Sequence, residues 1–147
     1  MRNANQVSTA NQISCTTYAL ARLAPLLVLL ALALFPFGWL GQLWPALGRG
    51  IDQVFSTDGW HAVGHAGLFC LLGLATLAVL PHLHARPVRY LGLLLLVGVG
   101  QELFQMLYKG RLLLVDDGRD LLTDLAGIVV AFALVWGWRR LQRQIPS

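Results

Sequence analysis

His61, His65, Glu102, Gln105, Asp120 and Asp124 lie inside or at the edge of long apolar runs, where ionisable and amide side chains are rare. Their spacing is helical. His61, His65 and Phe69 stand at i, i+4, i+8; Glu102 and Gln105 at i, i+3; Asp120, Asp124 and Gly127 at i, i+4, i+7. On a helix each set lines one face. Lipid exposure of a charge costs a few kcal/mol or more, so these faces must turn toward a bundle interior or a wet cavity. Such a set suits binding of a polar group, and Glu102 or His65 could serve as a general acid or base. The two histidines also have a spacing compatible with metal, with Glu102 or Asp124 as a further ligand. Ala62 follows His61, however, so the H-E-x-x-H pattern is absent, and no metal and no cofactor are assigned. Neither a glycine-rich phosphate loop nor a Ser/His/Asp signature is legible. Cys15 and Cys70 have no ligand spacing and are read as incidental.

These residues need elements that hold them at one level. The chain has 147 residues, 56% hydrophobic and 12% charged, with a mean hydropathy of +0.63. Soluble domains of this size carry more charge and break their apolar runs more often. Four runs stand out: Leu23 to Leu43, His61 to Leu80, Tyr90 to Tyr108 and Leu121 to Trp138. At 1.5 Å per residue each spans the ~30 Å hydrocarbon core. The expected fold is all-α, a polytopic membrane protein with a bundle of four transmembrane helices. The first run competes with a signal peptide. It is too long for a signal h-region, and Pro36, Phe37 and Trp39 occupy the place of small cleavage-site residues, so it reads as a retained helix. Pro36 is expected to kink or end it. Residues 41–59 read as a loop, and "KGRLLLVDDGR" as another. The organisation expected is a flexible tail over residues 1–17, a membrane domain over 18–140 and a basic tail over 141–147.

Basic residues set the orientation. Seven fall on one side (Arg2, Arg22, Arg86, Arg89, Arg139, Arg140, Arg143) and the remaining four of the 11 on the other (Arg49, Lys109, Arg111, Arg119). The positive-inside rule makes the first side cytoplasmic, with both termini there. The basic residues flank apolar runs rather than forming a separate domain, so the partner expected is the lipid bilayer and no nucleic acid. All seven acids fall in outer loops or outer helix halves. His65 lies roughly 7 Å below Trp60 and Glu102 about 9 Å below Tyr108, while Asp120 and Asp124 open the fourth run, so three helices place polar groups at one outer depth. Arg111 and Arg119 border this zone as candidates for neutralising the carboxylates. Gly98 and Gly127, one turn below Glu102 and Asp124, would let helices approach closely.

Each residue also has a plain structural explanation. Aspartates 120 and 124 suit a helix N-terminus, His61 an interface, and Glu102 with Gln105 a polar clamp between helices. Their coincidence at one depth favours a site.

At these residues the chain resembles the VanZ-like family. His65, Phe69, Leu72 and Gly73 fit the family's His helix. Glu102, Gln105 and Arg111 fit its Glu-x-x-Gln and following Arg. Asp120, Asp124 and Gly127 fit its Asp-x-x-x-Asn-x-x-Gly. The resemblance covers about residues 58–137. It departs where His61 and Ala62 replace an Asp-Lys pair and where Asp124 replaces Asn. The loop before Asp120 is longer by about three residues, leaving Asp117 as a rival match. The resemblance implies a small polytopic protein of the bacterial cell envelope, in the cytoplasmic (inner) membrane. The founding member is linked to low-level resistance to the glycopeptide teicoplanin. The expected function is binding of a polar or lipid-linked headgroup, or another envelope ligand, at the extracytoplasmic end. The binding residues would be His65, Glu102, Gln105, Arg111, Asp120 and Asp124, with His61 and Asp117 secondary. A membrane-embedded enzyme on a lipid or envelope substrate, and an assembly subunit with a purely stabilising polar cluster, are the alternatives.

Overall fold

The computed structural model describes residues 21, 23–35, 37–110 and 115–144. The N-terminal tail over residues 1–17, with Cys15, and the segment holding Arg111 lie outside them. Among the described residues the chain is all-helical, with no strand. Helix α1 runs Leu23–Leu34, α2 Phe37–Leu43, α3 Pro45–Val54, α4 Asp58–Val79, α5 Pro87–Lys109 and α6 Val115–Gln142; a 3-10 turn, Pro81–Ala85, joins α4 to α5. Three helices, α4, α5 and α6, are long and apolar enough to cross a membrane, as expected of a multi-pass membrane protein.

The boundaries follow local chemistry. Thr57 caps α4, its side chain accepting from the Trp60 N–H at 3.3 Å, and Asp58 adds a negative charge to the positive end of the dipole. Pro81 prevents α4 from continuing. Pro45 and Pro87 start α3 and α5, where the missing N–H goes unneeded. Gly110, at φ 59°, closes α5 in the left-handed region.

Three expectations change in detail. The run from Leu23 to Leu43 forms two helices, the first ending at Leu34, two residues before Pro36. The stretch read as a loop after Gly41 contains α3, whose Leu47, Ile51 and Val54 have helical i, i+4, i+7 spacing. Helix α6 begins at Val115, well ahead of Leu121, so Asp117 and Arg119 sit in its first turns rather than in a loop. Acidic side chains favour that end of a helix.

Helix α6 is the organising element, packing most extensively on α4 and also on α5. Phe69, Leu72 and Leu77 of α4, Tyr90 and Leu94 of α5 and Ile128 of α6 form the core, and Ala33, Leu26, Leu29 and Leu30 of α1 close it. Gly127 makes the α4–α6 approach possible, since a Cβ there would collide with the Ala66 carbonyl. Tyr90 fixes α5 on α6 by donating its hydroxyl to the Ile128 carbonyl at 3.2 Å, the partner a buried phenol needs.

Candidate functional site

Helices α4 and α6 present their polar faces to each other as two rungs. His61 Nε2 lies 3.4 Å from Asp120 Oδ2, and His65 Nδ1 lies 2.9 Å from Asp124 Oδ1. Both partners advance by four residues from the first rung to the second, so the two helices run parallel and in register. The imidazoles follow each other along α4 with centroids 4.8 Å apart and planes tilted by 42°. The rungs differ in setting. The outer one is open, with side chains 48% and 19% exposed; the inner one is closed, at 10% and 0%. With Asp124 ionised, its carboxylate accepts a hydrogen bond from the proton-bearing Nδ1 of His65. The neutral ring therefore keeps its lone pair on Nε2.

Helix α5 brings Glu102 to the same end. Its side chain is buried and interacts electrostatically with Asp120, His65, Asp117 and Asp124. Among the described residues neither carboxylate oxygen of Glu102 has a hydrogen-bond partner, nor does Oδ2 of Asp124. Gly98 clears space beneath it: a Cβ at that position would lie 3.0 Å from Leu121 Cδ1 and 3.2 Å from Asp124 Oδ2. Asp117 is buried on the first turns of α6, at i, i+3, i+7 with Asp120 and Asp124. It therefore stands with Asp120 and Asp124 at the same end of α6.

Two assignments fare differently. Gln105 accepts a hydrogen bond from Lys109 Nζ at 2.8 Å along its own helix, and Arg119 is exposed, with no ion pair among the described residues. Arg111 lies outside the described residues. Two neighbours escaped the sequence reading. Phe55 packs edge-on against His61, its ring centroid 6.2 Å away and nearly perpendicular. It follows α3, in the stretch read as loop, so no periodicity marked it. Gln101, the residue before Glu102 in the sequence, also buries an Oε1 without a hydrogen-bond partner among the described residues, though it lies on a different face of α5 from Glu102.

The described residues thus gather four carboxylates and two imidazoles at one end of the helices. Three groups, His61, His65 and Asp120, offer ligand atoms within 4.8 Å of one another, a set able to hold a metal ion. This differs from the expected third ligand, Glu102 or Asp124, because the Asp124 carboxylate is already engaged with His65. No protein-family model, curated protein or solved structure matches the chain.

Proposed function

We propose that this is a VanZ-like integral membrane protein of four transmembrane crossings whose outer-end polar cluster binds the headgroup of a lipid or lipid-linked envelope molecule. Helices α4, α5 and α6 make three crossings, and the run containing α1 and α2 supplies the fourth. The chain lies in the cytoplasmic (inner) membrane with both termini inside, and the cluster opens outward.

One observation carries the binding reading. Glu102 is buried, yet both of its carboxylate oxygens lack hydrogen-bond partners among the described residues. A buried acceptor left unmade costs about 1–3 kcal/mol, more when charged, and is therefore expected to meet a donor in the working state. Three orphaned acceptors, two on Glu102 and one on Asp124, match a headgroup rich in N–H and O–H donors, such as an amino or sugar group. The exposed outer rung gives such a group an entrance, and the closed inner rung gives it a rigid floor. The same order of residues, His65 then Glu102 then Asp120 and Asp124, supports the VanZ-like reading, and with it a link to glycopeptide resistance as an expected phenotype.

The test is the thermal stability of purified protein in detergent while lipids of different headgroup are added. Amine- or sugar-headed lipids should raise the melting temperature of the wild-type protein and not that of Glu102→Gln. An equal rise in both proteins, or none with any headgroup, would exclude Glu102 as a headgroup acceptor.

A further inference from the structure

We propose that the outer rung is a divalent transition-metal site, with His61, His65 and Asp120 as ligands and Asp124 as the group that orients His65. The proposal stands apart from headgroup binding and does not require it.

Three features lead to it. First, the three residues bring ligand atoms within 4.8 Å of one another, from two helices whose register is held by the inner rung. Second, the 3.4 Å between His61 Nε2 and Asp120 Oδ2 is longer than the ordinary N–H···O bond of about 2.7–3.2 Å. It is close to the edge, about 3.4 Å, of a tetrahedron whose ligands stand roughly 2.1 Å from zinc, in a set whose ligand atoms all lie within 4.8 Å of one another. Third, His65 donates Nδ1–H to a fully buried carboxylate. That is the arrangement by which a carboxylate fixes the tautomer of a metal-binding histidine and leaves Nε2 to bind.

The charge balance points the same way. Glu102, Asp117, Asp120 and Asp124 crowd one end of the helices, and no Lys or Arg ion pair to Glu102, Asp120 or Asp124 occurs among the described residues. A divalent cation on Asp120 would relieve the repulsion among them. Two imidazole nitrogens and one carboxylate oxygen suit zinc or cobalt(II) rather than magnesium or calcium, which prefer all-oxygen shells. Three protein ligands leave a fourth position for water or an anionic oxygen.

The full chain, purified in detergent without a histidine tag and stripped with chelator, is titrated with cobalt(II) and then with zinc. One equivalent of cobalt should bring up the visible bands of four-coordinate cobalt, and zinc should abolish them. His61→Gln and Asp120→Asn, both at the exposed rung where folding is not at stake, should each weaken binding by about 10-fold or more. Asp124→Asn should weaken it about 10- to 100-fold, as loss of an orienting carboxylate does elsewhere. His82→Gln, in the 3-10 turn between α4 and α5, should change nothing. Absence of the four-coordinate spectrum would overturn the proposal. Binding that survives both His61→Gln and Asp120→Asn would overturn it equally, by placing the metal elsewhere.

Discussion

At the residue scale the two rungs should respond unequally to truncation. Asp124→Ala strips the acceptor from a closed His65 and should cost roughly 3–5 kcal/mol, whereas Asp120→Ala on the open rung should cost no more than about 1 kcal/mol. Thermal or denaturant unfolding in detergent measures both, and equal losses would contradict the assigned difference in burial. A second prediction concerns His84, which stacks on Phe132 with ring centroids 5.4 Å apart. Burial, and then the charges of Arg139 and Arg143, hold its pKa below the ordinary 6.5. The unfolded chain therefore takes up this proton more readily than the folded one. Its contribution to stability is whole above pH 6.5 and is lost as the pH falls through the lowered folded value. Between pH 7 and 5 the wild-type melting temperature should drop further than that of His84→Gln; parallel curves would refute the assignment. The legibility of such residues was uneven. His65, Glu102, Asp120 and Asp124 were readable because polar groups in apolar runs demand a reason. Nothing in the spacing of Gln105 distinguished a residue of the cluster from one bonded to Lys109 on its own helix. As a candidate metal ligand Asp120 was not singled out, because spacing along α6 does not say which of Asp120 and Asp124 comes within reach of both histidines.

Among the elements, the α4–α6 contact decides whether the rungs form at all. Gly127→Ala places a methyl group against the Ala66 backbone carbonyl, and two rigid helices must separate to admit it. The change should destabilise by about 1–3 kcal/mol, although alanine is the better helix former. Gly92→Ala on α5 is the control, since a Cβ there meets nothing within 4 Å, and it should be neutral or stabilising by up to ~1 kcal/mol. If both variants melt alike, the close approach at Gly127 is not what limits packing. The long helices were legible from apolar run length, and their ends from Thr57, Pro81 and Pro87. The start of α6 was not, because two glycines and mixed charges between Lys109 and Asp120 look like a loop. Amphipathic α3 was missed for a related reason, as two glycines in ten residues obscure its i, i+4, i+7 pattern.

For the whole molecule, the exposed face is as informative as the buried one. Leu96, Leu103 and Leu107 on α5 and Leu122, Val129 and Leu134 on α6 are exposed large apolar side chains, a surface unsuited to water and suited to lipid. In the proposed four-crossing topology seven basic residues fall on the side of the 3-10 turn and four on the side of the cluster, so reporter fusions after Ser147 and within the 3-10 turn should read cytoplasmic. Fusions near Asp52 and Gly118 should read external, and an external C-terminus would invert the account. The central claim is that the outer cluster holds a headgroup, and lipid mass spectrometry on gently purified protein meets it most directly. Wild-type protein should retain a lipid whose headgroup carries N–H or O–H donors, and Glu102→Gln, purified identically and equally folded, should lose it selectively. The same lipids in the same amounts on both proteins, or none of donor-rich headgroup on the wild type, would contradict the account.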